Sequence, residues 1–552
     1  MPTILAAAIG DCVHVAGVRN FLALTEQAGF VTCFLGARVA VTELVSKIRT
    51  SQPDIVGVSY RLSAGRCGQL LDELKSCLAE EELLDRVYLF GGTTATGEVA
   101  RSSGLFEQIF DGTWVRDDIV SYVQRLAGLE GASQQTTVPE DTLLARIKAK
   151  SPLPVIRHHI GLSTLEDTLQ AVRELAEANV LDVLSIGPDQ TAQESFFRPW
   201  EQADKPSGTG GVPMRSPEDF ERIYEATRRG NRPLCRCYSG TNDVLQWAEM
   251  LHRTIRNAWC AVPLTWYNQM DQRGPRPIAQ SVREGQEVMR WHGERGVPVE
   301  VNEAHQWSLR STSDATAVAT AYLAAYNAKK MGVEHYVSQY MLNTPAGISA
   351  TKDLAKMLAK IELIESLHDA AFHSVREARP GIASFPSDPD SARGQLAYST
   401  VLCLLLRPDI LHVVAYTEGQ YAAGAQEIVG SVKLAQRIVE QHSAGSPLEH
   451  ALGEDAVQRH KEWLKEQANY VLDGIRILGA DLADPLTDPG NLVRAVEIGI
   501  LDAPDLRGSR VARGEMSTAI VDGACVSIDP KTGVPLSEEV RVRSILDEEG
   551  VE

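Results

Sequence analysis

The chain has 552 residues, of which 44% are hydrophobic and 23% are charged, and its formal net charge is -19. This composition is typical of a globular protein with a large core, and the acidic balance argues against nucleic-acid phosphates as the main partner. The apolar runs fall short of the ~20 residues that a membrane span needs, and no basic region precedes the first of them. The nine cysteines are scattered without a CxxC pair. We therefore expect reduced thiols in a cytoplasmic protein that has no signal peptide.

Short apolar runs alternate with amphipathic segments from residue 1 to residue 127. The runs that resemble strands are PTILAAAIG, FVTCFLG, DIVGVSY and RVYLFGG, and helical patterns such as VTELVSKIRTSQ lie between them. Continuous apolar strands separated by amphipathic helices are typical of a parallel sheet that is covered on both faces. We therefore predict an α/β domain over residues 1–127.

A second and longer alternation follows a polar stretch, GLEGASQQTTVPEDT, which we interpret as part of a linker over residues 128–150. Between residues 151 and 484 the strand-like segments are VLDVLSIGP, RPLCRCYSG, NAWCAVPLTWYN, VPVEVNEAHQW, EHYVSQYMLN and ILHVVAYTEG. Six or more parallel strands, each followed by polar and aromatic residues, predict a (β/α)8 TIM barrel with a functional C-terminal face. We expect the turn-rich segment 485–552 to pack on this barrel as an extension.

Three strand ends of the first domain carry unusual residues. GDCVHVAG offers the imidazole of His14, VSYRLSAG offers the hydroxyl of Ser59, and LFGGTTATG offers the pair Gly91 and Gly92. Ligands of open parallel sheets bind beyond the carboxyl ends of the strands, and glycines let a large planar group approach the backbone. Each of these residues taken alone is typical of an ordinary loop.

Taken together and in this order, the three segments resemble the cobalamin-binding domain of B12-dependent mutases and methionine synthase. That family has the pattern Asp-x-His-x-x-Gly, then Ser-x-Leu, then Gly-Gly, and here His14, Gly17, Ser59, Gly91 and Gly92 match it. The resemblance implies a flavodoxin-like (Rossmann-type) fold in which His14 is the metal ligand, bound to cobalt in place of the nucleotide base. The base then lies in a slot near Ser59 and Gly91.

Two positions depart from the pattern. The acid is Asp11, one position early, with Cys12 in the expected place, and Arg61 stands where the family has leucine. The hydrogen bond with which an acid would orient the histidine depends on the path of this loop. Asp11, Arg61 and Thr93 complete the cofactor-binding residues that we expect in this domain.

The chain from about Asp182 onward resembles the catalytic epsilon subunit of glutamate mutase (methylaspartate mutase). The resemblance is carried by RCYSGTND, by FPSDPDSARGQLAYST over 385–400, and by AVEIGILDAP over 495–504. The two halves are usually separate chains in that family, and here they follow each other in one chain. The resemblance implies an isomerase that uses adenosylcobalamin (coenzyme B12) for a radical carbon-skeleton rearrangement of an amino or carboxylic acid.

The same resemblance implies roles for four barrel residues. Arg236 falls on an arginine that binds a substrate carboxylate, and Glu303 falls near a glutamate that contacts the substrate amino group. Arg273 and Arg276 lie in a loop where a further arginine of the carboxylate clamp is expected. Each residue also has a structural alternative, namely an ion pair for Arg236 and Glu303 and a solvated loop charge for the other two.

Other positions of the barrel differ from the family. Ala192 stands near another clamp arginine, and Ala415 or Tyr416 stands where a lysine contacts the ribose of the adenosyl group, although Glu418 matches the neighbouring glutamate. A site that lacks one arginine favours a substrate other than glutamate. Four residues at predicted strand ends suit a less polar substrate: Trp266, Tyr267, His305 and Trp307.

Two other functions remain open on the sequence. Cobalamin domains of this kind also serve methyltransferases, and the departures at Asp11 and Ala415 are compatible with a non-catalytic cobalamin-binding protein. In each case we expect no nucleic-acid partner and no membrane partner. For the mutase we expect a small-molecule acid as substrate and a homodimer as the assembly.

Overall fold

The computed structural model describes residues 2–27, 29–114, 119, 122–123, 125–126, 141–202, 207–445 and 447–550. The chain divides into two compact units, Met1–Thr136 and Thr137–Glu552. Most of the predicted linker, residues 128–140, lies outside the described residues. Its last part is a helix, Leu143–Lys150, because Thr142 caps the first turn and the buried Leu143 anchors it.

The first unit is a doubly wound sheet of five parallel strands. The strands are β1 (Thr3–Ile9), β2 (Val31–Val39), β3 (Ile55–Tyr60), β4 (Val87–Gly92) and β5 (Gln108–Phe110). The described helices are α1 (Ala16–Gln27), α2 (Val41–Ser51), α3 (Ala64–Glu80) and α4 (Thr94–Ser103). The strand order is β2-β1-β3-β4-β5, which is the flavodoxin order, and the predicted fold is confirmed. The order reverses between β1 and β3, so a crevice is expected at their carboxyl ends.

The second unit contains eight parallel strands in one sheet. They are β6 (Val155–Ile160), β7 (Val183–Ile186), β8 (Leu234–Cys237), β9 (Cys260–Val262), β10 (Val299–Val301), β11 (His335–Leu342), β12 (His373–Pro380) and β13 (Ile410–His412). Each strand pairs with the next in the chain, and β13 pairs with β6. A parallel bridge between Tyr238 and Ala261 joins β8 to β9 and closes the ring. The predicted (β/α)8 barrel is therefore confirmed.

Helices follow every barrel strand, as the fold requires. In chain order they are α5 (Leu143–Lys150), which precedes the first strand, then α6 (Leu165–Glu177), α7 (Gln190–Ser195), α8 (Pro217–Ala226), α9 (Val244–Ile255), α10 (Ile278–Gly293), α11 (Glu303–Leu309), α12 (Asp314–Lys330), α13 (Ala350–Glu365), α14 (Pro389–Leu405) and α15 (Ala425–Ser443). Short 3-10 turns span Pro199–Glu201, Ile382–Ser384, Pro447–Gly453 and Pro504–Leu506.

The remaining segment contains three helices and a hairpin. They are α16 (Asp455–Leu478), α17 (Pro489–Glu497), β14 (Thr518–Val521), β15 (Ala524–Ser527) and α18 (Glu538–Glu548). The backbone N–H of Cys525 donates to Asp314 at 2.9 Å, and the Ser313 hydroxyl donates to Glu538 at 2.6 Å. These buried bonds join the hairpin and α18 to the start of α12. None of the helices in the described ranges has both the length and the apolar character that crossing a bilayer requires.

Two barrel strands are missing from the predicted set, and one predicted strand segment is helical over part of its length. The missed strands are β6, which contains VIRHHI, and β12, which contains HSVREARP. Their charged side chains break the apolar pattern of a buried strand, but inside the barrel Arg157 of β6 pairs with Glu377 of β12. The segment NEAHQW was predicted as part of a strand, and the structure has helix α11 there.

Candidate functional site

A cavity of about 290 Å³ lies at the carboxyl edge of the first sheet. Ser59 on β3 is in register with Gly91 on β4, and both line the cavity. Because the nearest heavy atom to a Cβ added at Gly91 is the Ser59 Oγ, 3.9 Å away, the backbone at Gly91 is open to this space. The rest of the lining is mainly apolar and includes Leu24, Gly57, Phe110 and Trp114.

His14 is exposed in the loop between β1 and α1, three residues before Gly17, which lines the same cavity. In the part of the chain that the structure describes, no bond joins Asp11 to His14. Instead the Tyr60 hydroxyl donates to the Asp11 carboxylate at 3.0 Å. Burial and this carboxylate raise the pKa of Tyr60. Asp11, which the sequence suggests as a partner of His14, therefore contacts Tyr60 on β3 instead.

The other predicted residues of this edge are Arg61, Gly92 and Thr93, of which the last two have structural roles. Arg61 is exposed and lines the cavity. A Cβ at Gly92 would lie 2.9 Å from the Tyr60 carbonyl oxygen, so this glycine allows two strands to approach closely. Thr93 caps α4, since the Thr96 N–H donates to its hydroxyl at 3.4 Å. The described residues still fit a cofactor that carries a planar ring and a metal, because an exposed imidazole is a suitable ligand for a first-row transition metal.

The interior of the barrel contains a layer of four charged side chains, each of them fully buried. Arg157, Arg236, Glu300 and Glu377 come from β6, β8, β10 and β12, the alternate strands that build one layer of a barrel. Arg157 pairs with Glu377 and also donates from Nε to the Ser185 hydroxyl at 2.7 Å. Two positive and two negative groups make the layer neutral overall.

Arg236 is therefore placed below the C-terminal mouth and paired inside the protein. Its Nη2 donates to Glu300 Oε2 at 2.7 Å, and its guanidinium carbon lies 4.3 Å from the centre of the Tyr238 ring. Burial opposes ionisation of Glu300, yet Arg236 and Arg157 hold the pKa of this carboxyl below its usual value. Arg236 does not line the cavity at the mouth. The geometry matches the structural ion pair, which was the alternative to substrate binding.

A cavity of about 420 Å³ opens at the C-terminal mouth, above this layer. His159 lies on its surface, with Nε2 at 2.9 Å from Arg157 Nη2 and at 2.8 Å from the Tyr238 hydroxyl. A guanidinium has only donors, so Nε2 acts as the acceptor and the proton of the neutral ring is on Nδ1. Burial and the charges of Arg157 and Arg236 lower the pKa of His159 well below its usual value.

The other imidazoles of this cavity are also uncharged at neutral pH. Burial and Arg157 lower the pKa of His412 well below its usual value, and the His412 ring lies 4.6 Å from that of His159. Burial and Arg379 do the same to the pKa of His305, whose Nε2 accepts from Gln306 at 3.0 Å. The described residues contain no group of three or more side chains that suits a metal ion. Because their pKa values are lowered, these imidazoles offer neutral hydrogen-bonding surface.

Arg379 on β12 is the arginine that reaches the cavity. It is half-buried, and its Nε donates to the Pro380 carbonyl oxygen at 3.1 Å. Across the described ranges, no carboxylate forms an ion pair with it. Glu418 lines the same cavity and is exposed. The cavity thus combines an arginine with free terminal nitrogens and an accessible carboxylate.

One wall of the cavity consists of backbone. Gly161 and Gly187 follow β6 and β7, and a Cβ on Gly161 would overlap the carbonyl oxygen of Gly187. This close approach requires glycine and leaves the wall without side chains. Apolar residues, among them Met341, Val413 and Val414, complete the lining.

The three other residues predicted to be catalytic lie outside the cavity lining. Glu303 is fully buried and accepts from the backbone N–H groups of Leu264 and Thr265, both at 3.2 Å, and from Trp307 Nε1 at 3.0 Å. Burial raises the pKa of Glu303. Its bonds hold the loop after β9 against α11, the helix that presents His305.

The two loop arginines also make contacts within the protein. Arg276 is buried and pairs with Glu284, while the Arg273 guanidinium carbon lies 4.0 Å from the centre of the Tyr267 ring. Ala192 is buried in α7, and Ala415 lines the cavity. Of the aromatic residues suggested for the substrate, His305 reaches the cavity, whereas Trp266 and Trp307 are buried against each other with ring centres 4.7 Å apart.

Sequence reasoning missed four polar residues that line this cavity, His159, Tyr238, Arg379 and His412, and the buried Arg157 beneath them. The signal that could have revealed these strands is a short polar segment bounded by proline and glycine. PVIRHHIG and ARPG end at Gly161 and Gly381, and each brings an arginine or histidine next to the expected strand end. A prediction that recognises strands only by their apolar content assigns such segments to loops.

No protein-family model matches the chain, and a search of curated proteins gives no match. A cobalamin-binding protein from Desulfitobacterium hafniense DCB-2 is 24% identical over 23% of this chain, which covers 58% of that protein, with a TM-score of 0.20. A Rubisco-like protein from Rhodopseudomonas palustris is 11% identical over 56% of this chain and 70% of its own, with a TM-score of 0.30. A Rubisco-like protein from Burkholderia fungorum is 13% identical over 59% of this chain and 70% of its own, with a TM-score of 0.33. The fold of each unit stands on the strand orders and contacts given above.

Proposed function

We propose that this protein is an adenosylcobalamin-dependent isomerase of the glutamate mutase type, which rearranges the carbon skeleton of a small amino or carboxylic acid. The observation that carries the proposal is the pair of sites on one chain. The flavodoxin-like unit has a largely apolar cavity at the carboxyl edge of its sheet, with an exposed histidine in the loop between β1 and α1. The (β/α)8 barrel has a polar cavity at its C-terminal mouth.

The first unit would hold the cofactor. His14 would ligate cobalt, and Ser59 and Gly91 would line the slot for the nucleotide base. The exposure of His14 supports this role, because a ligand must reach the metal before it can bind. When bound, the cofactor supplies radical chemistry through homolysis of its carbon–cobalt bond.

The barrel cavity would hold the acid. His159 and Tyr238 would orient it by hydrogen bonds, since the bond between them fixes the positions of both side chains. The backbone wall at Gly161 and Gly187 and the apolar residues beside it would restrict water around the substrate. Neutral imidazoles at this position orient a substrate without adding charge to the site.

Electron paramagnetic resonance of the full-length protein with adenosylcobalamin, under anaerobic conditions, tests both halves of the proposal. We expect a cob(II)alamin signal that requires a substrate acid, with hyperfine splitting from one nitrogen. Labelling all histidines with nitrogen-15 should convert each triplet to a doublet, and His14→Ala should remove the splitting. Tyr60→Phe is the matched control, because it changes the partner of Asp11 and keeps the histidine.

Other outcomes separate the alternatives. Cofactor binding without a signal, across a panel of amino and hydroxy acids, contradicts the mutase and leaves a non-catalytic binding protein. Demethylation of bound methylcobalamin by a folate or thiol acceptor identifies a methyltransferase. Splitting that persists in His14→Ala contradicts the assignment of the ligand. Sedimentation velocity of the same preparation tests the homodimer that we expect.

A further inference from the structure

The charges around the barrel cavity are few and unevenly placed. Among the lining residues that the structure describes, Arg379 is the single lysine or arginine, and Glu418 is the single acid. The histidines on the surface have pKa values far below neutrality because they are buried near arginines. Arg157 and Arg236, below them, are paired with Glu377 and Glu300.

We infer that this cavity binds an acid with a single carboxylate, which Arg379 holds. The other end of this acid is polar but uncharged and faces His159, Tyr238 and His412. The inference rests on the proposed function only in treating the cavity as the substrate site. It departs from a dicarboxylic substrate such as glutamate, and it assigns the carboxylate to Arg379 instead of Arg236.

Arg379 suits this role because part of its guanidinium is already fixed. The bond from Nε to the Pro380 carbonyl oxygen orients the group, while the described residues place no carboxylate on Nη1 or Nη2. A planar guanidinium with two free terminal nitrogens pairs with a carboxylate through two parallel hydrogen bonds. Glu418 offers a partner for an amino group at the exposed side of the cavity.

A second carboxylate would lack a cation. It would face the neutral rings of His159 and His412, and protonating either ring is disfavoured by Arg157 and by Arg379. The nearest buried arginines are paired, and moving them would leave Glu300 or Glu377 unpaired in the barrel interior. An amide or hydroxyl at the same position meets hydrogen-bonding partners without this penalty.

Calorimetric titration of the full-length chain without cobalamin tests the inference on two matched pairs of acids. The pairs are glutarate with its monoamide, and L-glutamate with L-glutamine, so each pair differs by one negative charge at nearly constant shape. We expect each monocarboxylate to bind at least about tenfold more tightly than its dicarboxylate. Arg379→Gln should weaken monocarboxylate binding by about tenfold or more, because the ion pair is lost. Arg222→Gln, which removes an exposed arginine that pairs with Glu166 and does not line the cavity, should leave the affinity unchanged.

Several results would overturn the inference. These are tighter binding of the dicarboxylates, binding of neither member of a pair, or unchanged affinity in Arg379→Gln. If Arg379→Gln does not fold by circular dichroism, Arg379→Lys takes its place, since it keeps the charge and loses the planar group. The assay contains no cobalamin, so a failure of the radical chemistry leaves its result intact. Conversely, a cob(II)alamin signal that prefers glutamate supports the mutase and overturns the monocarboxylate inference.

Discussion

Arg236 and Glu300 form an ion pair across the interior of the barrel, with 2.7 Å between Nη2 and Oε2 and no solvent exposure of either side chain. Trp259 Nε1 donates to the same carboxylate oxygen at 2.7 Å, and the Tyr238 ring covers the guanidinium. The pair therefore lies directly beneath a residue of the cavity surface. It couples the position of Tyr238 to the charge layer of the barrel.

Removing one member of this pair should destabilise the protein. We expect Arg236→Met to lower the free energy of unfolding by about 3–5 kcal/mol, because Glu300 is left buried and unpaired. The double variant Arg236→Met with Glu300→Gln should recover part of the loss. Urea denaturation measures both. If Arg236→Met keeps the native stability but does not bind the acid, Arg236 is a substrate ligand and not a structural residue.

Glu303 should behave as a structural residue. In Glu303→Gln an amide nitrogen replaces one acceptor oxygen among the N–H donors of Leu264, Thr265 and Trp307, so we expect a loss of about 1–3 kcal/mol in the free energy of unfolding. Glu418→Gln, at an exposed carboxylate, is the control and should change stability by less than about 0.5 kcal/mol. Equal stability of Glu303→Gln and the native protein, together with weakened acid binding, would contradict this assignment.

Filling the slot in the first unit should block the cofactor. Gly91→Leu places a side chain in the cavity beside Ser59, where a Cβ has room, and we expect cobalamin affinity to fall by at least about tenfold while the unit stays folded. Gly65→Ala is the control, since a Cβ there meets nothing within 4 Å. The visible spectrum of bound cobalamin reports the affinity, and circular dichroism reports the fold. Native affinity in Gly91→Leu would exclude this cavity as the cofactor slot.

Buried histidines should make the protein less stable in mild acid. Burial lowers the pKa of His292 from the usual 6.5 to about 4. The unfolded chain therefore binds a proton near pH 6.5 that the folded chain binds only near pH 4, so stability falls as the pH drops between these values. This histidine alone contributes a loss of about 3 kcal/mol. His292→Gln should reduce the pH dependence of the urea midpoint, and an unchanged slope would show that His292 has the same pKa in the folded and unfolded protein.

The local pattern of the sequence was sufficient to predict a parallel α/β sheet in the first unit and a (β/α)8 barrel in the second, whereas the flavodoxin-like fold of the first unit was implied by the family resemblance. The apolar runs at Thr3–Ile9, Ile55–Tyr60 and Val87–Gly92 are buried strands of the first sheet, as the pattern predicts. Such strands are recognisable because a sheet covered on both faces needs continuous apolar segments. The position of His14, Ser59 and Gly91 at strand ends follows from the same pattern, since side chains just after parallel strands share one edge.

The polar site of the barrel depended on tertiary structure. Arg157 and Glu377 are 220 residues apart in the chain and pair because closure of the ring places β6 and β12 on either side of β13, with both side chains in the barrel interior. Charged strands of this kind are stable only when the partner charge is in place, and no local pattern contains that information. For the same reason the family resemblance pointed to Arg236, whereas only the closed barrel shows that Glu300 already pairs with it and that Arg379 faces the cavity.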